Sequence, residues 1–222
     1  MESRRIPLFP LNVVLFPGMP LPLRVFEPRY QEMVRVCRES DRLFGVCLIR
    51  SGEEVGGPAD PCSVGTTCEI LSVTPLGEGR MNLVTVGRKR FKILSLFQER
   101  PYLEAEIGFL PDDEPGDLRT LPLQVREAAV RYVNGLFALA GEEPQALTLP
   151  DDPEELSHFV GAVLQVAATV RQELLESSVT AARLERELEL LEREIEQHAA
   201  LENVQGNVVR PYRLRTRDIS PN

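Results

Sequence analysis

The sequence predicts an α+β protein, with a β-rich N-terminal part followed by a C-terminal helical bundle. Three observations carry this. The opening from Ile6 to Tyr30 sets six prolines among apolar residues, with Arg24, Glu27 and Arg29 as its only charges. Proline fixes φ, supplies no N–H and pushes the residue before it toward extended geometry, so this is extended chain. At least five strand-like segments then follow without helical patterns between them, which argues a mostly antiparallel sheet or a small closed barrel. Beyond Pro111–Thr120 (PDDEPGDLRT), an acidic stretch with two prolines and a glycine, the apolar period changes from two to 3.6. The expected division is residues 1–114, 115–202 and a basic tail over 203–222.

Within the opening, Leu8, Leu11, Val14, Leu21, Leu23 and Val25 are expected in the core, and Phe16-Pro17-Gly18-Met19-Pro20 forms a turn. Glu27-Pro28 starts a helix over 28–39, with Tyr30, Met33, Val34 and Cys37 on one face. Leu43–Ile49 is an apolar run short enough for a buried strand. Ser51–Pro61 reads as loop. Residues 66–76 and 81–86 pair through a hairpin at Gly77–Arg80, and Gly87 marks a bend or bulge before a strand over 91–97. In Tyr102–Phe109, Leu103, Ala105, Ile107 and Phe109 alternate with Glu104 and Glu106, the pattern of a half-buried strand.

The helical part opens with Leu121–Ala140, where Val125, Ala129, Tyr132, Leu136 and Ala140 form one stripe and Gly141 ends the helix. Asp152-Pro153-Glu154-Glu155 is an N-cap with proline at the first helical position, leading a face of Leu156, Phe159, Val160, Val163, Leu164 and Ala167. Thr169–Gln172 reads as a further capping box, followed by a break near Ser177-Ser178. Val179–Leu201 is the longest helix, with a narrow Leu184, Leu188, Leu191, Ile195 seam. That seam packs on the preceding helices or on a partner helix.

The formal net charge is −9, a poor default for binding nucleic acid or an anionic membrane. Residues 115–202 hold 7 basic and 17 acidic residues, whereas the tail holds Arg210, Arg213, Arg215 and Arg217 against Asp218. No apolar run approaches the ~20 residues that span a bilayer, and prolines interrupt the N-terminus where a signal core would lie. The expected location is cytoplasmic. Cys37, Cys47, Cys62 and Cys68 match no zinc spacing. They read as reduced thiols, with a Cys62–Cys68 bridge as the minor option.

No catalytic, metal or cofactor constellation emerges. His158 and His198 lie on separate helices and read as solvent-facing or satisfied residues. Asp112-Asp113 and Asp151-Asp152 fall in a linker and a cap, where solvating a loop or capping a helix explains them. Arg88-Lys89-Arg90 with Phe91 is a basic cluster beside an aromatic, the composition an RNA-binding face would need.

The segments IPLFPL, VLFPG and LPLRVFEPRYQEMV resemble the opening of the Lon N-terminal domain, also called the Lon substrate-binding domain. FGVCLI, VGTTCEI, VGRKRFKI and PYLEAEI resemble its successive strands, and RQELLESSVTAARLERELELLEREIE its closing helices, so the likeness runs from about Ile6 to Gln197. It implies a PUA-like β-barrel and a four-helix bundle. It also implies a role in recognising unfolded or tagged polypeptides, in concert with an ATP-dependent protease or chaperone, and self-association. Lon proteases continue into an ATPase and a Ser–Lys protease. This sequence has neither a G-x-x-x-x-G-K-[ST] phosphate loop nor a G-x-S-x-G elbow.

The expectation is therefore a stand-alone, non-enzymatic module that uses no cofactor and contacts no membrane. An RNA-binding PUA-like protein is the alternative, and a hydrolase with a cryptic site a third class. Holding a polypeptide needs an exposed apolar groove. Its candidates are Phe16, Met19, Leu21, Phe26 and Tyr30, each of which could instead be core, and the junction of barrel and bundle is a second possible surface. Recurrence of the arginine cluster in Lon domains makes its role structural.

Overall fold

A computed structural model describes residues 3–57, 59–113, 118–144 and 146–209, with side chains as far as residue 200. The β-part contains β1 (Ser3–Leu11), β2 (Pro20–Val25), α1 (Pro28–Arg38), β3 (Leu43–Gly52), β4 (Ala59–Pro61), β5 (Val64–Gly77), β6 (Arg80–Phe97) and β7 (Glu104–Phe109). The helical part contains α2 (Leu121–Ala140), α3 (Pro153–Val163), α4 (Ala168–Glu176) and α5 (Thr180–Val209).

Antiparallel pairing runs β1-β7-β6-β5-β3, and β3 returns to β1 in parallel register, Leu8 opposite Gly45 and Leu11 opposite Leu48. The ring is thereby closed, the barrel expected from the run of strands. Ile6, Leu8, Cys47, Phe91, Ala105 and Ile107 fill its interior. Gly45 makes room for them: a Cβ there would lie 2.6 Å from Leu8 Cδ2 and 2.8 Å from Phe91 Cζ. A second apolar cluster lies between sheet and α1, where Tyr30, Met33, Val34 and Cys37 face inward as their spacing predicts.

Several local expectations are corrected. Gly87 does not separate two strands. β6 is continuous over 18 residues, with a bulge where the pairing passes from Cys68–Gly87 to Thr66–Arg90. Gly87 is instead the docking point of the opening turn: Gly18 N–H donates to its carbonyl and its own N–H donates to Met19 O, each at 2.9 Å. A Cβ at Gly87 would collide with the Phe16 carbonyl. The 51–61 loop contains β4, which folds back on β3. The Thr169 capping box does not form; α4 starts at Ala168 behind Ala167, without a side-chain cap. Asp152 does cap α3, its Oδ1 accepting from Glu155 N–H at 2.9 Å.

The third cluster crosses between the two parts. Val14, Phe16, Leu48 and Val64 from the β-part join Val125, Tyr132, Leu156, Val160, Leu175, Leu184 and Leu191 from the helices. The α5 seam therefore packs internally: Leu184 and Leu191 are fully buried and Leu188 and Ile195 partly so. The α2 stripe is buried at Val125, Ala129 and Tyr132 but reaches the surface by Ala140. Of the expected basic tail, residues 203–209 continue α5 as helix, and Arg210, Arg213, Arg215 and Arg217 lie outside the described residues.

Candidate functional site

Two places concentrate chemistry. The first is an open groove on the barrel wall around Tyr30. One cavity of about 150 Å³ lies between the end of β2, the start of α1 and the 53–57 turn. Phe9, Leu11, Leu23, Val25, Phe26 and Val55 give it apolar walls, and Glu27 and Glu54 border it. A second, of about 400 Å³, lies across Tyr30 against Pro10, Arg29, Gly56, Pro101 and Leu103. Tyr30 is the shared wall. Its ring stacks on Phe9 at 4.0 Å, and the Arg29 guanidinium lies 4.6 Å from its centre. Burial raises the Tyr30 phenol above its ordinary range, so it stays neutral.

The 53–57 turn is fastened over this groove. Glu27 Oε2 accepts from Gly56 N–H at 3.2 Å and from Arg29 Nε at 3.0 Å, and Arg29 donates to Gly57 O at 3.1 Å. Glu54 Oε2 accepts from Asn12 N–H at 3.1 Å.

The five sequence candidates divide. Phe26 is 47% exposed beside the first cavity, and Tyr30 lines both cavities while its side chain, 5% exposed, belongs to the sheet–α1 core. Leu21 is buried in the sheet–α1 core. Phe16 is wholly inside, its ring pressed on the Gly161 backbone of α3, where the missing Cβ leaves it space. Core packing accounts for both. Met19 sits half-buried at the barrel–helix junction, its sulfur 3.8 Å from Arg171 NH2. The groove also uses Phe9, Glu54 and Val55, which the sequence did not single out, and Leu11 and Val25, which it places in the core and which are buried. The apolar side chains of the opening were expected as core, and Glu54 and Val55 sit in what reads as a plain loop.

The second place is a buried ion cluster joining the two parts. Asp112 Oδ1 is 3.0 Å from Arg90 NH2 and 2.6 Å from Arg183 NH1, and all three side chains are at least 96% buried. Arg90 also donates to Leu175 O and Ser177 O, each at 2.7 Å. Arg183 Nε donates to Ser157 Oγ at 2.6 Å, and Ser157 Oγ donates to Glu187 Oε1 at 3.0 Å. Asp112 is thus not a solvated linker residue. Its segment runs beside the start of α5, with Asp113 N–H donating to Ser178 O at 2.7 Å and Thr180 N–H to Asp113 O at 3.2 Å. His158 likewise is buried rather than solvent-facing, its Nε2 3.6 Å from Asp112 Oδ2.

The titrations follow the packing. Burial opposes charge on Asp112, but His158 and the Arg183 and Arg90 charges outweigh it and hold the carboxyl well below its ordinary range. Burial lowers His158 and keeps it neutral. Burial raises Glu187 well above the usual carboxylate range, against the pull of Arg183 and Ser157.

Asp112, Glu154 and His158 bring ligand-type atoms within 4.8 Å of one another. Two guanidinium groups already share the Asp112 carboxylate, so its charge is met by arginine and a divalent cation would face both. Ser157 has no solvent exposure, which leaves it no route to a substrate.

The Arg88–Phe91 run splits at the bulge of β6 and does not alternate, with Arg88 and Lys89 exposed. Arg88 pairs at the surface with Glu69 at 2.6 Å, whereas Arg90 and Phe91 are buried. The aromatic that RNA stacking would need points into the barrel. The cysteines are all free, so the Cys62–Cys68 bridge does not form. Burial pushes the Cys37 and Cys68 thiols up to about 12, far from reactive thiolates.

A closed β-ring sharing one core with a C-terminal helical part, with an apolar groove on its wall, defines a two-part α+β domain class. Within that class, residues 5–193 match the ATP-dependent protease La (LON) substrate-binding domain, and the chain belongs to that family. It is 31% identical over 196 residues to a Lon protease of Anaeromyxobacter dehalogenans, covering 86% of this chain and 23% of that protein. It is 30% identical over 196 residues to Lon protease 2 of Myxococcus xanthus, covering 86% of this chain and 24% of that one. The chain thus spans about a quarter of the length of these curated relatives.

Among solved structures, the Lon N-terminal domain protein of Xanthomonas campestris superposes with a TM-score of 0.62 at 27% identity, covering 82% of this chain and 96% of that one. The N-terminal domain of the Mycobacterium avium complex Lon protease, at 17% identity and a TM-score of 0.63, shares the fold; the match covers 85% of this chain and 98% of that one. No helix among the described residues is long and apolar enough to cross a membrane.

Proposed function

We propose that this chain is a non-enzymatic polypeptide-recognition module, serving as an adaptor, holdase or regulator of proteolysis for unfolded or tagged proteins alongside an ATP-dependent protease or chaperone. The observation that carries the reading is the groove at Tyr30. A cavity of about 150 Å³ is the size that holds a benzene-sized group, and Phe26 and Val55 stand exposed at 47% and 54% on its rim. Such a site takes one apolar side chain at a time from an extended chain, which suits ligands of varied sequence. Family membership in the substrate-binding domains adds to it.

The test is fluorescence anisotropy of a labelled, permanently unfolded polypeptide titrated with the chain, beside a single-stranded RNA of similar size at two salt concentrations. Micromolar polypeptide binding that changes little with salt, with no RNA binding, is the expected result. RNA binding that weakens steeply with salt, with no polypeptide binding, overturns the reading, because phosphate contacts release counterions.

A further inference from the structure

We propose that prolines close the strand edges of β2 and outer β5, together with the end of β1 beside the groove, to strand addition, so that a polypeptide in the groove is held through its side chains without extending the sheet there. The inference rests on the polypeptide-recognition reading for its partner, but the closure of the edges is decided by the register alone.

Among the described residues, β2 pairs only with β6. Met19 O accepts from Gly87 N–H, and Leu21 stands opposite Thr85, Leu23 opposite Leu83 and Val25 opposite Met81. Antiparallel backbones alternate between bonding toward the partner and away from it. Leu21, Leu23 and Val25 therefore bond toward β6, and Pro20, Pro22 and Arg24 turn their backbones to the free edge. Of those three, only Arg24 carries an N–H.

The same parity recurs at two other edges. In β1, Leu8 turns away from β3, donating to Leu103 O at 2.8 Å. The next residue of that parity is Pro10, and it lines the larger cavity. In β5, the part beyond Ile70 pairs only with β6 among the described residues. Pro75 stands opposite Met81, whose backbone is turned to β2, so Pro75 faces outward on β5. Register shifts at Ile70/Ser72 and Pro75/Gly77 bend that edge further.

An exposed strand edge is a template for another chain, and proline at outward positions removes the donors that template needs. Pro20, Pro22 and Pro75 occupy such positions on two exposed edges, and the buried Pro10 holds the same parity at the end of β1; Pro22 and Pro10 line the groove. A partner cannot form a regular ladder there. The kind of partner this surface fits is an extended segment read by apolar side chains, in which proline and other residues without an N–H are accepted as readily as any.

The test uses the whole chain, the Pro20→Thr/Pro22→Thr double variant and the Pro75→Thr variant. Each is titrated against an unfolded peptide and the same peptide N-methylated at alternate backbone nitrogens, and each is run in sedimentation velocity. The unaltered chain is expected to bind both peptides within twofold. A folded variant is expected to self-associate, or to bind the unmethylated peptide at least fivefold more tightly than its methylated form.

A tenfold loss on methylation in the unaltered chain overturns the proposal. So does a pair of folded variants that neither associate nor discriminate. Binding of neither peptide to the unaltered chain defeats the polypeptide reading, and the closure of the edges is then decided by sedimentation. The Pro75 variant serves where the double variant fails to fold.

Discussion

The Arg90 guanidinium and the Asp112 carboxylate meet at 3.0 Å with 1% and 4% of their side chains exposed, at the point where barrel and helices join. Arg90 comes from the bulged stretch of β6, and its other bonds go to the carbonyls of Leu175 and Ser177 at the end of α4 and of Pro111. Arg183, from α5, shares the same carboxylate. One acid therefore answers two buried cations drawn from the two parts of the molecule.

Asp112→Ala leaves both guanidinium groups buried without a counter-charge. Removing one partner of a buried pair costs about 3–5 kcal/mol. The loss is expected in urea unfolding followed by circular dichroism, and by the emission of a probe on the barrel. Both signals are expected to shift together, because the cluster and the shared core couple the parts. A variant within 1 kcal/mol of the unaltered chain contradicts the linking role.

Glu187 makes stability fall as pH rises. Its folded carboxyl titrates well above the 4.5 of an ordinary glutamate. Between those two values the folded chain holds a proton that the unfolded chain has lost, so stability falls as pH rises through that window. Glu187→Gln removes this slope while keeping an acceptor for Ser157. In urea melts at pH 4, 5.5 and 7, the variant is expected to gain on the unaltered chain as pH increases. A constant difference across the three melts would place Glu187 outside this linkage.

His158 and Asp112 act in the acid range. The folded imidazole titrates below 6.5, so its contribution is present above that value and fades as pH falls toward the folded pKa. The Asp112 contribution is present above 3.8 and is lost only as pH falls further. His158→Gln is expected to flatten the stability curve just below pH 6.5 and leave the steeper loss at lower pH. An unchanged curve in a folded variant assigns that slope to other groups.

Much of this architecture is readable before any coordinates. The prolines of the opening, the alternation in β7 and the 3.6 period of α2, α3 and α5 each write a local rule that the fold obeys. What escapes is what depends on distant partners. The parallel closure of β1 on β3 has no local signal, because each strand reads the same in either pairing. Asp112 reads as linker because the arginine that buries it lies 71 positions further on. Phe16 looks like a surface aromatic in a turn, and its burial depends on Gly161 leaving a place for its ring. Phe26 is named by the sequence only as one of five apolar candidates in the opening, and Val55, exposed beside the same cavity, falls in a stretch that reads as plain loop.

That division predicts a separation of effects along the opening. Phe16→Ala empties a packed site between β-part and α3, and large-to-small changes of this kind cost about 3–5 kcal/mol. Gly161→Ala presses on the same ring from the other side, and overpacking costs about 1–3 kcal/mol. Both are expected to lower the unfolding midpoint.

Phe26→Asp and Val55→Asp alter exposed side chains, where substitutions usually stay within about 0.5 kcal/mol, yet they place charge on the rim of the groove. Each is expected to weaken polypeptide binding by tenfold or more while leaving the melt unchanged. Met19→Asp at the junction, beside Arg171, separates the two surfaces. A folded Met19→Asp with unaltered binding assigns recognition to the Tyr30 groove alone, whereas a folded Met19→Asp that loses binding, with Phe26→Asp unaffected, moves it to the junction.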